Sequence, residues 1–311
     1  MNEKKASISV VIPLYNKRES IFRTMQSVIN QSKKAEEVIV IDDGSTDDSA
    51  SIVEKHFPHV TLIKQSNAGV SSARNKGAQK AQSDYVAFLD SDDWWAETVL
   101  EKIDTLIQRY SSAVMFSVAH YRVDGKDTKT PKTGRSRDEL FTGLEFIDLY
   151  ATCSGIINSS SVCVRRDTFL QCGGFPEEHD RGEDVYVWLS LALRGNVAIS
   201  PDRLVYIERP IELVRSPKGR ASAPAYIQKF CSPDIFKKFQ PNEQKALFRF
   251  LRIRGLIYSL GLVIKGKRRD AIKIGVFISK TNKFMYPVFL FLSILPSKPL
   301  FMLYKRRNRT K

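Results

Sequence analysis

The chain has 311 residues, 42% of them hydrophobic, 27% charged and 10% aromatic, which excludes a disordered, collagen-like or low-complexity protein and suits one large α/β domain with a full core, alone or with an appendage. The formal net charge of +15 is unevenly placed: residues 1–199 hold 24 Lys and Arg against 28 Asp and Glu, whereas residues 200–311 hold 25 against 6. A uniformly basic nucleic-acid binder is not built this way, so no nucleic-acid partner is expected, and the C-terminal third reads as a separate electrostatic unit suited to an anionic partner.

The first 120 residues alternate short apolar runs with amphipathic stretches. Strands are predicted at 8–12, 37–41, 60–63, 85–89 and 113–118, with helices at 19–30, 48–56, 71–81 and 98–110 between them. Strands alternating with helical periods of this length predict βαβ units and a mostly parallel sheet, apolar on both faces because helices cover it. Residues 124–138 (DGKDTKTPKTGRSRD) are polar and rich in turn formers, which predicts a loop. Helix and strand signals resume at 141–150, 161–164 and 184–193, and 204–207 is expected to be the last strand. From about residue 216 the register changes to basic amphipathic helix, giving a core domain over 1–215 and a helical extension over 216–311.

Four cysteines, Cys153, Cys163, Cys172 and Cys231, form no C-x-x-C pair and lie near no histidine at metal spacing, so reduced, mostly buried thiols are expected. The N-terminal apolar stretch runs only from Val10 to Leu14 and contains Pro13, which is no signal-peptide h-region. A cytoplasmic location is the expectation.

In an open α/β sheet, ligands bind beyond the carboxyl ends of the strands. Here those ends carry Pro13-Leu-Tyr15-Asn16, then Asp42-Asp43-Gly-Ser-Thr-Asp47, then Asp90-Ser-Asp92-Asp93. Carboxylates gathered on one rim repel unless a cation or hydrogen-bond donors compensate them. Hard oxygen ligands of this kind suit Mn²⁺ or Mg²⁺, with phosphate oxygens completing the shell. As an isolated string, DDGSTD is better read as a polar turn with an N-cap; after a strand and beside the other rims, the ligand reading prevails.

Four segments in order, VVIPLYN at 10–16, VIDDGSTD at 40–47, NAGVSSARN at 67–75 and FLDSDD at 88–93, resemble the motifs of family 2 glycosyltransferases, and Gly182-Glu183-Asp184 resembles their catalytic-base motif. The matches cover about residues 7–210. The resemblance implies a GT-A fold, a Rossmann-like mostly parallel sheet flanked by helices, and an inverting, metal-dependent transfer from a nucleotide-diphosphate sugar. It makes Asp184 the base and Glu183 its support or an acceptor contact. It makes Asp92 the first choice for the metal, with Asp90 near the ribose or a metal-bound water. Asp43 is favoured for the nucleotide, with Asp42 as second choice. Pro13 and Tyr15 wall the base, or Tyr15 is buried against a helix. Arg74 touches the donor, or pairs structurally with the Asp90 rim. Asp93 is expected to cap the following helix, and Trp94 and Trp95 to pack. His179 and Arg181 read as a solvated loop or as acceptor contacts. Many relatives carry a histidine in the loop after the last strand; residues 208–220 have none, and Arg215, Lys218 or Arg220 stand as substitutes for its positive charge.

The tail mixes Leu, Ile, Phe and Val with Lys and Arg, and residues 284–295 (FMYPVFLFLSIL) form an apolar run that contains Pro287. A spanning helix needs about 20 apolar residues. The pattern favours a contact lying in the plane of an anionic membrane at the cytoplasmic face, over a partner-subunit or core-packing surface or a broken transmembrane hairpin. The functional expectation is a UDP-sugar-dependent transferase acting on a glycan or lipid-linked acceptor in cell-envelope polysaccharide synthesis. The alternative is a non-catalytic sugar-nucleotide-binding or membrane adaptor on the same fold. Neither G-x-G-x-x-G nor G-x-x-x-x-G-K-[ST] occurs, which removes dehydrogenase and P-loop readings.

Overall fold

The computed structural model describes residues 6–124, 127–129, 135–153, 155–208 and 223–296. Two compact units divide the chain: Met1–Phe146 with Cys153–Ser216, and Ile147–Thr152 with Pro217–Lys311.

The first unit is built on one sheet. Its elements in chain order are β1 (Ile8–Leu14), α1 (Ile21–Ile29), β2 (Glu37–Asp42), α2 (Ser49–His56), β3 (Thr61–Lys64), α3 (Val70–Lys80), β4 (Tyr85–Phe88), β5 (Trp94–Trp95), α4 (Val99–Arg109) and β6 (Ala113–Asp124). Then come β7 (Asp127–Lys129), β8 (Glu139–Phe141), α5 (Gly143–Thr152, whose residues from Ile147 on belong to the second unit), a 3₁₀ turn (Ser159–Ser161), β9 (Val162–Arg165), α6 (Arg166–Gln171), α7 (Glu183–Ala192) and β10 (Asn196–Glu208). The spatial order is β3-β2-β1-β4-β9-β6-β10-β5, with β7 beside β6 and β8 beside β10.

β1 is the centre of the parallel half, paired with β2 and β4, and all seven of its residues are buried. Helices cover it on both sides, as its apolar run requires. α1 buries Ile21, Thr24, Met25 and Val28, the i, i+3, i+4, i+7 stripe of a half-covered helix. α3 lies close on β1: a Cβ at Gly77 would meet Val11 Cγ1 at 2.3 Å. Any larger residue there forces Val11 or the helix that carries Arg74 to shift.

The other half of the sheet is mixed. β10 and β6 run parallel, while β9, β7, β8 and β5 pair antiparallel with their neighbours. The segment expected as a loop at 124–138 contains β7, and residues 130–134 lie outside the described residues. The final strand begins at Asn196, well before 204, because register shifts between Ile199 and Arg203 absorb Pro201 within a continuing ladder.

The second unit is helical: α8 (Ala225–Phe230), α9 (Pro233–Phe236), α10 (Pro241–Ile264), α11 (Arg268–Ser279) and α12 (Met285–Ile294). α10 opens with Pro241 at its first position and a reciprocal Gln240–Glu243 capping box. Pro287 does not interrupt α12. It takes the third helical position, where the missing N–H has no partner inside the helix. Among the described residues no helix is long and apolar enough to cross a membrane. Arg215, Lys218, Arg220 and the basic run after residue 304 lie outside the described residues.

Candidate active site

The ends of β1 and β2 are tied together by short polar contacts. Asn16 adopts a left-handed φ of 50°, and its Oδ1 accepts the Thr46 N–H at 2.8 Å. Pro13 is buried in the strand opposite Ile41, whereas Tyr15 is 47% exposed, so its ring is not buried against a helix. Asp42 and Asp43 are both buried. Asp42 Oδ1 accepts from Ser45 N at 3.2 Å. Asp43 accepts from Gln65 Nε2 and Ala68 N on Oδ1 and from Gly69 N on Oδ2, each at 2.8 Å. A carboxylate offers about four acceptor positions, so Asp43 clamps the loop entering α3 and keeps about one position free.

The turn after β4 carries three carboxylates with three different partners. Asp90 Oδ1 meets Arg74 Nη2 at 2.5 Å, and Asp92 Oδ2 meets Lys17 Nζ at 2.6 Å. Asp93 is buried, accepting from Ser160 Oγ at 2.5 Å and from Glu208 N at 2.9 Å. Burial, reinforced by the charges of Asp90 and Asp92, pushes its carboxyl well above the usual range. Asp93 is therefore not the expected helix cap: Thr98 stands at the head of α4. A carboxyl that can reach a strand end and a buried hydroxyl forms more bonds there than at a helix terminus.

Arg74 joins this rim to the start of α7. Its side chain is 5% exposed, lies 5.1 Å from the Phe175 ring centroid, and leaves Nε and Nη1 buried without a hydrogen-bond partner. Burial disfavours its charge, but Asp90, Glu183 and Asp184 outweigh that and hold its pKa above the ordinary value. The same proximity acts in reverse on the acids. Burial, then the Asp184 charge, raises Glu183 to about 6, against the pull of Arg74. Burial also raises Asp184, opposed by the Val185 N–H at 2.7 Å and by Arg74. Gly182 precedes α7 at φ 70°, a left-handed turn that glycine adopts without strain. Both acids thus stand in the first turn of α7, where a helix favours negative charge.

The structure brings Arg74, Asp90, Glu183 and Asp184 into one electrostatic cluster, with Asp92 on the same turn as Asp90. Asp42, Asp43, Pro13 and Tyr15 belong to the adjoining strand ends. Among the described residues, no group of three or more His, Cys, Asp and Glu could hold a metal ion. Asp90 Oδ2 and Asp92 Oδ1 take no hydrogen bond from a described residue. That donor set fits a small hard cation bound by one or two carboxylates, with ligand phosphates and water supplying the rest.

Trp95 packs, with 4% exposure and its indole N–H on Ser160 O at 2.7 Å. Trp94 packs as well, stacked on Tyr206 at 5.2 Å and covered by the Arg23 guanidinium at 3.8 Å. Arg181 is exposed, and His179 lies 3.9 Å from Glu178. All four cysteines are free thiols, with Cys163 and Cys231 buried. Sequence reasoning passed over Lys17 and Ser160. The polar run Asn158–Ser161 between Ile157 and Val162 was the available signal for Ser160, since four polar residues inside an apolar stretch need internal partners.

The model of glycosyl transferase family 2 matches residues 9–165. TuaG of Bacillus subtilis, a glycosyltransferase provisionally assigned to teichuronic acid biosynthesis, is 34% identical over 204 residues, which is 64% of this chain and 77% of TuaG. An uncharacterized glycosyltransferase of Rickettsia bellii is 32% identical over 196 residues, 62% of this chain but only 27% of that protein. The chain spans about a third or less of the length of several such relatives. The crystal structure of S. aureus TarS 1–349 in complex with UDP-GlcNAc superposes with a TM-score of 0.71 at 20% identity, covering 92% of this chain and 87% of that one, a likeness of fold. With about half of the chain inside the family model and most of TuaG aligned to it, the chain belongs to glycosyl transferase family 2.

Proposed function

We propose that the protein is an inverting transferase that moves a sugar from a nucleotide-diphosphate donor, a UDP-sugar, to a hydroxyl of a glycan or lipid-linked acceptor in cell-envelope polysaccharide synthesis. The observation that carries this reading is the buried Arg74 shared by Asp90 on one rim and by Glu183 and Asp184 on the other. One cation links the carboxylate that faces the donor to the carboxylate that takes the proton.

In the proposed reaction the acceptor oxygen attacks the anomeric carbon on the face opposite the diphosphate. Its proton passes to Asp184 Oδ2, because Oδ1 is already held by Val185 N. The bond from the anomeric carbon to the phosphate oxygen breaks, and its electron pair leaves with the diphosphate. Asp184 must be ionised to act, and Arg74 and the α7 N-terminus favour that form against burial. Glu183 supports the acceptor side. Asp42, Asp43, Pro13 and Tyr15 receive the nucleoside. Asp90 and Asp92 would hold Mn²⁺ or Mg²⁺, which when bound neutralises charge on the diphosphate. The assignment of TuaG to teichuronic acid biosynthesis and the UDP-GlcNAc held by TarS support an envelope acceptor and a UDP-sugar.

The test is Asp184→Asn. Donor affinity by calorimetry should stay near the parent value while transfer falls by about 10²–10⁴-fold. Turnover near the parent rate would remove Asp184 as base.

A further inference from the structure

Among the described residues, the C-terminal unit carries an apolar face that its packing leaves exposed. α12 buries only Met285, Phe289 and Ser293, an i, i+4, i+8 stripe, and that stripe sits against α11 so closely that a Cβ at Gly275 would meet Phe289 Cβ at 2.4 Å. The rest of its circumference points outward and is almost wholly apolar. Phe284 is 87% exposed, Ile294 68% and Phe291 62%, and Tyr286, Val288 and Leu290 are exposed beside them. A phenylalanine carries about 200 Å² of surface, so these two rings alone show about 300 Å², already the size of the largest patch on an ordinary monomer.

Cations stand at both ends of this helix. Lys280 and Lys283, both exposed, precede it. At its C-terminal end, Arg268 Nη1 donates to Ser293 O at 2.5 Å. That bond fixes the turn between α10 and α11, with exposed Lys265, Lys267 and Arg269, against the last turn of α12. A ten-residue helix is about 15 Å long, so the two basic groups bracket one short apolar ridge. Residues 264–296 hold seven Lys and Arg against Asp270 alone. A protein partner could match the apolar ridge. Ridge and basic flanks together match the layered chemistry of an anionic bilayer, where apolar side chains enter the acyl boundary and cations meet the headgroup phosphates.

We infer that α12 is a monotopic wedge: Phe284, Phe291 and Ile294 insert into the interface of a membrane rich in anionic phospholipid, and Lys265, Lys267, Arg269, Lys280 and Lys283 lie at headgroup depth. The inference rests on the C-terminal unit alone and is independent of the transferase reading, whose residues all belong to the other unit.

The full chain is sedimented with vesicles of phosphatidylcholine, with and without 30% phosphatidylglycerol. Binding should need the anionic lipid and weaken with salt. Phe284→Ser and Phe291→Ser should each lower the partition coefficient about ten-fold. The triple change Lys265→Gln, Lys267→Gln, Arg269→Gln should lower it about a hundred-fold at low salt. All these side chains are exposed, so the variants should melt like the parent. Donor binding by every variant should equal that of the parent; a parent that binds no nucleotide sugar would count against the transferase reading alone. Phenylalanine variants that sediment like the parent overturn the inference. So does a parent that ignores anionic vesicles and forms a dimer, seen by light scattering, that the same phenylalanine changes dissolve.

Discussion

Replacing Arg74 by Met keeps an aliphatic stem in a site that is 5% exposed and deletes a positive charge that faces Asp90, Glu183 and Asp184. An opposite charge within about 4–6 Å lowers a carboxyl pKa by about 1–3 units, so removing Arg74 raises these carboxyls by up to that amount. Glu183, held at about 6 with Arg74 present, would titrate higher without it, and Asp184 would move the same way. The reaction needs the base ionised, so activity is lost as pH falls through its folded pKa. Arg74→Met should therefore shift the acid limb of the kcat profile upward by up to about 1–3 units, lowering kcat by up to about 10–10³-fold at pH values below the parent limb and leaving it little changed well above the shifted one. Release of nucleoside diphosphate at saturating donor, followed from pH 5 to 9.5, measures this. Arg74→Lys, which keeps the charge, should hold the limb near its original place. A uniform loss at every pH with an unmoved acid limb would refute the reasoning and leave Arg74 as a donor contact or a packing residue.

Lys17→Met removes the cation paired with Asp92 across 2.6 Å, a part-exposed bridge worth at most about 1 kcal/mol, so Mn²⁺ binding followed by electron paramagnetic resonance should tighten up to about five-fold; unchanged affinity would show that Lys17 does not compete there. Glu183→Gln should stabilise the fold at pH 7.5 by about 1–2 kcal/mol and leave it unchanged near pH 4.5. A folded pKa of about 6, above the ordinary 4.5, means that the native state binds the extra proton and loses stability as pH rises across that window; parallel denaturation curves for parent and variant at both pH values would contradict it. Ser160→Ala strips a buried hydroxyl from Asp93 Oδ2 and from the Asp90 N–H, and should cost about 1–3 kcal/mol in urea titrations, with a neutral result placing the strength of that turn elsewhere.

The parallel half of the fold was legible because its information is local. β1 to α4 alternate over runs long enough to show a period, and most of the site residues stand where those strands stop. The other half depends on partners far along the chain. β5 is two residues long, α6 is six, and neither shows a period that a sequence can display. The same distance hid the partners at the site. Asp93 resembles a helix cap in sequence, yet its hydroxyl donor, Ser160, lies 67 positions away. Lys17 lies 75 positions from Asp92, and nothing in its neighbourhood marks it as a counter-ion. Carboxylates after strands announce a rim, but the cations that answer them come from wherever the fold places a long side chain.

Charge balance at that rim is consistent with the proposed metal ion. Asp90, Asp92, Asp93, Glu183 and Asp184 are five acids, and among the described residues Arg74 and Lys17 are the cations that face them. Burial and mutual repulsion raise Asp93, Glu183 and Asp184, so the folded chain holds its carboxyls where their charge is disfavoured. A purely structural network would be expected to settle near neutrality, since unpaired buried charge lowers stability. A rim that stays acidic would also repel the very diphosphate it is proposed to bind. Both difficulties ease together if a divalent cation accompanies the donor, since it offsets the carboxylates and the phosphates at once, and the unbonded Asp90 Oδ2 and Asp92 Oδ1 are the atoms open to it.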